Sequence, residues 1–133
     1  MSEKEIQGTQ FAQESEDFSP TSFNLSSAME TVMDSEELFQ KIADMLIESC
    51  PGYIDRIREA ISGNNPGVLE REAHSLKGAV GNFGADEAYE AAYHLEKMGK
   101  NQEMATAEEG LANLESALDK LIFEMKIVLR RMS

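Results

Sequence analysis

Residues 106–132, TAEEGLANLESALDKLIFEMKIVLRRM, indicate the fold class. Large apolar residues recur there at alternating steps of three and four, at Leu111, Leu114, Leu118, Leu121, Met125, Val128 and Met132. This spacing lines one side of an α-helix, and Thr106 with Glu109 matches the capping box that begins such a helix. A dimerising coiled coil is one use of this stripe. Packing along other helices of the same chain is favoured, because those helices need a partner.

The sequence before this helix is also helical in pattern, without the alternation of apolar and polar residues that marks a strand. A short first helix is predicted over residues 25–33. Asp34, with Glu37 three residues later, indicates the cap of a second helix. That helix carries an apolar series at Leu38, Ile42, Met45 and Leu46. Pro51 permits either a kink in one helix or the start of another, and one long kinked helix to about Ser62 is favoured.

Two further helices follow short breaks in the pattern. The segment Gly63-Asn64-Asn65-Pro66 predicts a helix stop, a loop, an asparagine cap and a proline in the first turn of the next helix. That third helix should end near Gly84, and a fourth should run from Asp86 to about Met98 and close at Gly99. The predicted fold is all-α, an up-and-down antiparallel four-helix bundle with a short additional N-terminal helix.

The domain organisation predicted from this pattern is one bundle preceded by a tail. Residues 25–133 form the bundle, and residues 1–24 are polar, with Phe11, Phe18 and Phe23 at no helical or strand period. A mobile tail is the favoured interpretation, and a short docking segment is the alternative because three phenylalanines exceed what a solvated tail needs. The initiating methionine and the polar tail favour a free-standing protein over a fragment of a hybrid kinase.

Composition narrows the classes of partner and the cell compartment. Twelve basic and 25 acidic residues among 133 give a formal net charge of −13, which disfavours binding to nucleic acid and to anionic membranes. No apolar run approaches the roughly 20 residues of a membrane span, and no signal-peptide pattern begins the chain. We therefore expect a cytoplasmic protein. Cys50 is the single cysteine, which excludes an internal disulfide and suggests a small buried or half-buried apolar group.

The third helix has an unusual outward side. At about 100° per residue, its apolar stripe is Leu69, Ala73, Leu76, Val80 and Phe83, and His74 lies roughly opposite this stripe. Seven residues share the outward side: Gly67, Glu70, Arg71, His74, Lys77, Gly78 and Gly81. Glycine within a helix costs about 1 kcal/mol relative to alanine, so these glycines call for a reason. Bare backbone beside an exposed histidine would let another macromolecule approach the ring, which can act as a nucleophile near neutral pH.

The string from Ala73 to Ala85, AHSLKGAVGNFGA, resembles the signature of the histidine-containing phosphotransfer (HPt) domain. The resemblance covers about residues 25–132, and the segments around Asp34, Pro51 and Leu95-Glu96 are similar to less specific landmarks of that family. Gly81 and Phe83 depart from its more usual alanine and leucine.

The resemblance implies a covalent phospho-carrier of a His-Asp phosphorelay. His74 would accept a phosphoryl group from the aspartyl phosphate of one receiver and pass it to another, Lys77 would steady phosphoryl oxygens, and Gly78 would give access to the ring. Gly67, Glu70, Arg71 and Gly81 would complete the docking face for the partner. Response-regulator receivers are the expected partners, with a hybrid histidine kinase as a further candidate. Mg²⁺ would come from the receiver. The sequence contains no nucleotide-binding loop, so we do not expect it to phosphorylate itself from ATP.

Two rival functions are weighed against the phosphotransfer hypothesis. A metal-binding bundle would use Glu-x-x-His pairs, but Arg71 and Ala91 stand three residues before His74 and His94. A bundle that serves only protein interaction stays as the alternative, although the combination of His74, Lys77 and Gly78 speaks against it. We expect a monomer without a cofactor of its own.

Overall fold

The computed structural model describes residues 18–132, which form five α-helices and contain no strand. The helices are α1 (Leu25–Thr31), α2 (Glu36–Ser62), α3 (Pro66–Gly81), α4 (Asp86–Asn101) and α5 (Ala107–Met132). Contacts join α2 to α3, α3 to α4, α4 to α5 and α5 back to α2, and α1 packs on α2. Short loops make consecutive long helices antiparallel neighbours. The predicted all-α four-helix bundle with a short additional N-terminal helix is confirmed.

The cap of α2 lies one residue after the predicted position. The hydroxyl of Ser35 accepts a hydrogen bond of 3.1 Å from the amide of Leu38, whereas Asp34 occupies a left-handed turn with φ of +63°. Aspartate and serine are both good helix caps. Ser35 takes this position because its backbone, and not that of Asp34, has the extended conformation that a cap requires. The helix then continues without a break through Pro51 to Ser62, so the prediction of one helix is confirmed.

The apolar series of α2 is only partly buried. Its buried residues are Phe39, Ala43, Leu46, Cys50, Ile57 and Ala60. Leu38 is 40% exposed and Met45 is 64% exposed, so only Leu46 of the predicted apolar series is fully inside. A helix that is apolar over more than half of its circumference has two candidate inner sides, and the neighbouring helices decide between them. Cys50 is buried as predicted, and burial raises the pKa of its thiol to about 11.

The two predicted helix-ending glycines have different positions in the structure. α3 ends at Gly81, and Gly84 adopts the left-handed conformation, with φ of +63°, in the turn that follows. Gly99 does not end α4, which continues to Asn101 and is capped by Gln102 with φ of +58°. A Cβ atom on Gly99 would lie 2.6 Å from the carbonyl oxygen of Pro66, so this glycine permits the close approach of α3 and α4.

α5 agrees closely with its sequence pattern. It begins directly after Thr106, whose carbonyl accepts a hydrogen bond of 3.0 Å from the amide of Gly110. Six of the seven stripe residues are buried, and Met132 at the helix end is half-buried. Throughout residues 18–132, no helix has the length and apolar character needed to cross a membrane.

The segment just before α1, which lies within the predicted tail, packs on the bundle. Phe23 is 4% exposed and meets the ring of Phe83 edge to face at 6.5 Å between centroids. The amides and hydroxyls of Thr21 and Ser22 donate hydrogen bonds of 2.6–3.2 Å to the carboxylate of Glu124 on α5. The remainder of the predicted tail, residues 1–17, lies outside the described residues.

Candidate functional site

His74 lies on the side of α3 that faces away from the core. The Asn65 side chain caps this helix by accepting a hydrogen bond of 3.3 Å from the amide of Val68, and Pro66 occupies the first turn. The buried residues of α3 form one stripe, Leu69, Ala73, Leu76 and Val80. The side chain of His74, almost opposite this stripe, is 67% exposed. Its predicted outward orientation is confirmed.

Glu96 on α4 holds the imidazole from one side. Its Oε2 atom lies 2.9 Å from Nδ1 of His74, and the Glu96 side chain is only 16% exposed. Burial alone would raise the pKa of Glu96, but hydrogen bonds from Lys77 and His74 outweigh it and hold that pKa below its ordinary value. The carboxylate is therefore ionised near neutral pH and can only accept, so Nδ1 carries the proton. In the neutral ring, the lone pair is then on Nε2.

Lys77 is more enclosed than predicted. Its ammonium lies 2.7 Å from Oε1 of Glu96, and its side chain is 16% exposed, not free in solvent. The ammonium also lies 4.8 Å from the ring centroid of Tyr93 and 5.8 Å from that of Tyr89, both on α4. The hydrogen bond with Glu96 raises the pKa of Lys77, although burial works in the opposite direction. Lys77 thus stays charged, in contact with a carboxylate and near two aromatic rings.

The glycines beside His74 have different surroundings. A Cβ atom on Gly78 would meet no heavy atom within 4 Å among the described residues, apart from its own helix backbone and chain neighbours, and on Gly67 it would meet only Oδ1 of Asn65, at 3.9 Å. On Gly81 it would lie 3.3 Å from the ring of Tyr89. Gly78 therefore leaves open surface one turn after His74, whereas Gly81 gives room to an aromatic ring of α4.

Two other residues of the predicted docking face lie in the second turn of α3. Arg71 is exposed. Glu70 is half-buried, because its backbone lies against Gly99 of α4. The structure therefore brings His74 and Lys77 together beside Glu96. Gly78 follows one turn after His74, and Gly67, Glu70 and Arg71 lie towards the N-terminal end of the helix.

The matching part of the chain identifies its family. Residues 41–123, more than half of the sequence, match the model of the Hpt domain family. The chain belongs to the Hpt domain family. The matched range includes His74, Lys77, Gly78 and Glu96.

A solved structure supports the fold of this Hpt domain. Histidine-containing phosphotransfer protein B (HptB) from Pseudomonas aeruginosa PAO1 superposes with a TM-score of 0.79 over 85% of this chain and 98% of that chain. The two sequences are 18% identical, so the likeness concerns the fold. No curated protein sequence matches significantly.

Sequence reasoning missed the part of the Hpt site that α4 contributes. Glu96 was noted only as a family landmark, and Tyr89, Tyr93 and Lys97 were not assigned to the site. The sequence numbers do contain a signal, because the contacting residues are equally far from Ala85 in the turn. His74 lies eleven residues before Ala85, and Glu96 lies eleven residues after it. The same holds at eight residues for Lys77 and Tyr93, and at four residues for Gly81 and Tyr89. In an antiparallel helix pair with a short turn, residues equidistant from the turn lie at the same height because each helix rises equally per residue.

The histidines of this Hpt domain do not form a metal centre. Within residues 18–132, no three histidine, cysteine or carboxylate side chains are grouped to hold a metal ion. His94 is exposed on α4, where a shallow pocket beside it includes Glu87 and Glu90.

Proposed function

We propose that this Hpt domain carries a phosphoryl group on Nε2 of His74 in a His-Asp phosphorelay. It accepts the group from the aspartyl phosphate of one receiver and passes it to the aspartate of another. The arrangement at the imidazole carries this proposal, since an ionised Glu96 keeps the proton on Nδ1 and leaves the lone pair of Nε2 on an exposed ring. The open surface at Gly78 lets a partner reach that atom.

The proposed transfer needs little from this chain beyond orientation and charge. The Nε2 lone pair attacks phosphorus, and the bond between phosphorus and the aspartate oxygen breaks with release of the carboxylate. The ring gains a positive charge and keeps its proton on Nδ1, where the Glu96 carboxylate stabilises it. In onward transfer, a second aspartate oxygen attacks phosphorus and the bonding electrons return to Nε2. Because the ring keeps its proton on Nδ1, it departs as neutral imidazole, which is a better leaving group than the deprotonated ring.

Lys77 is proposed to neutralise phosphoryl oxygens as a flexible point charge. To do so, its ammonium has to leave Oε1 of Glu96, from which it is 2.7 Å away in the unphosphorylated protein. The Mg²⁺ that assists such transfers is proposed to belong to the receiver, and the chain is proposed to have no ATP-dependent kinase activity of its own. It would thus be a carrier whose catalytic groups are shared with the partner.

The proposed partners are response-regulator receivers, with a hybrid histidine kinase as a further candidate. Beside the open side of α3 lies an apolar groove of about 510 Å³ whose lining includes Leu38, Met45, Ala79 and Phe83. This groove and the docking face of Gly67, Glu70, Arg71 and Gly81 support binding of a protein surface. We further propose that the protein is cytoplasmic and monomeric, and that its acidic charge disfavours nucleic acid and membrane partners.

The test is transfer of labelled phosphate from phosphorylated receivers to the purified protein. Wild-type protein should become labelled, and His74→Gln should not, because the amide of glutamine cannot form the phosphoramidate bond. His94→Gln is the matched control, since it removes the other exposed histidine, and it should accept label as the wild type does. Label retained by His74→Gln would move the phosphorylation site elsewhere. If no receiver of the same organism labels the wild type, the interaction bundle is the better function.

A further inference from the structure

Tyr93 lies close to two positive charges beside the proposed phosphorylation site. Its ring centroid is 4.8 Å from the ammonium of Lys77 and 4.6 Å from that of Lys97. Tyr89 supports it, with the two ring centroids 6.5 Å apart, and Tyr89 itself rests against the bare backbone of Gly81. Both distances from Tyr93 to an ammonium are within the range of about 6 Å in which a cation is attracted to an aromatic face.

These contacts bear on where Lys77 places its charge. In the unphosphorylated protein, Glu96 and the ring of Tyr93 hold the ammonium on the α4 side of His74. A phosphoryl group on Nε2 would extend from the ring edge away from Nδ1, and hence away from Glu96. The ammonium can then contact either Glu96 and Tyr93 or the phosphoryl oxygens. Attraction to the ring of Tyr93 favours the first position.

We propose that Tyr93 is a positioning residue that holds Lys77 on Glu96 and thereby shortens the lifetime of the phosphohistidine. This inference rests on the proposed function, because it concerns the same phosphoryl group. Loss of the aromatic ring lets Lys77 spend more time on the phosphoryl oxygens. The phosphohistidine then becomes more stable, and its hydrolysis and its onward transfer both become slower.

The direction follows from the charge change during hydrolysis. The oxygen of water attacks phosphorus, the bond between nitrogen and phosphorus breaks, and its electrons return to Nε2 with release of inorganic phosphate. In a loose, metaphosphate-like transition state, the phosphoryl oxygens carry less negative charge than in the phosphohistidine. An ammonium on those oxygens therefore stabilises the phosphohistidine more than the transition state, and it slows the reaction.

The experiment measures the lifetime of phosphohistidine formed with potassium phosphoramidate, which removes the need for an identified receiver. Tyr93→Leu should lengthen the half-life about two- to fivefold, the range expected from an exposed cation–π contact. Tyr93→Phe keeps the aromatic face and should retain the wild-type half-life. Tyr53→Leu is the matched control, because it removes a tyrosine on α2 whose ring is 5.1 Å from the guanidinium carbon of Arg56. It should leave the half-life unchanged.

The double substitution separates positioning from a general structural effect. In a Lys77→Met background, Tyr93→Leu should no longer alter the half-life, because the cation that the ring holds is absent. An unchanged or shortened half-life in Tyr93→Leu alone, or an equal lengthening in the Lys77→Met background, would overturn the proposal. Failure of His74 to become phosphorylated by either phosphoramidate or receivers contradicts the proposed function and this inference with it. Thermal unfolding of each variant verifies that the bundle is intact.

Discussion

Gly78→Ala should make this protein more stable and less active at the same time. Gly78 lies inside α3, and an added Cβ atom would meet no neighbouring heavy atom of residues 18–132 within 4 Å, its own helix backbone and chain neighbours aside. Alanine in such a place lowers the entropy of the unfolded chain and stabilises the helix by about 0.5–1 kcal/mol. For a domain of this size, that free energy raises the melting temperature by about 2–5 °C.

The effect on phosphotransfer should have the opposite sign. If a receiver packs its surface against Gly78, the new methyl group enters a filled interface, where overpacking costs about 1–3 kcal/mol. We therefore expect kcat/KM for transfer from a phosphorylated receiver to fall by a factor between about 5 and about 150. Thermal unfolding followed by circular dichroism and initial rates of labelled phosphate transfer measure the two effects on the same samples.

Gly67→Ala is the matched control for this prediction. It also lies on α3, and its added Cβ would meet only Oδ1 of Asn65, at 3.9 Å. Gly67 lies two turns before His74, however, whereas Gly78 lies one turn after it. Its transfer rate should change less than that of Gly78→Ala. A lower melting temperature in Gly78→Ala would show that the open surface has been misjudged. Unchanged transfer would refute steric access as the reason for this glycine.

Two further predictions concern packing and pH. Gly99→Ala should lower the free energy of unfolding, measured by urea titration, by about 2–3 kcal/mol. The reason is that its Cβ would lie 2.6 Å from the Pro66 carbonyl oxygen and 2.7 Å from the Glu70 amide nitrogen. A loss below about 0.5 kcal/mol would contradict this account. Burial alone would raise the pKa of Glu124, but hydrogen bonds from Ser22 and its neighbour lower it, so its stabilising effect is present above the ordinary value of 4.5 and lost as pH falls below it. Glu124→Gln should therefore be less stable than the wild type by about 1–2 kcal/mol at pH 7. Thermal unfolding at several pH values should show this difference shrink below pH 4.5. A difference that stays constant with pH would exclude the charge of Glu124 as its cause.

Helix boundaries show how far local pattern reaches. Asn65 and Pro66 specify the start of α3 within a few residues of chain, so their prediction is confirmed. Asp34 and Gly99 carry the same local signals but have other positions, one in a left-handed turn and one inside α4. A capping residue or a glycine determines which backbone conformations are possible at its position. Packing against another helix decides which permitted conformation forms.

The apolar faces show the same limit. The stripe of α5 is narrow and regular, so only one side of that helix can be buried and the prediction is confirmed. α2 is apolar over a wider arc, and its own sequence favours Leu38 and Met45 as strongly as Phe39 and Ala43. Contact with α3 and α5 buries the second pair and leaves the first at the edge of a groove.

The chain's local sequence by itself determined the helical class, the approximate helix order and the outward direction of His74, because periodicity within one helix depends only on neighbours a few residues away. Only the tertiary structure decided what surrounds that histidine. Glu96 and Tyr93 reach His74 and Lys77 from another helix, at a height set by the turn around Ala85. That register and the close approach at Gly99 place Glu96 next to both side chains. The proton of the exposed imidazole therefore stays on Nδ1, and Lys77 forms an ion pair with Glu96 although it lies on the outward side of its helix.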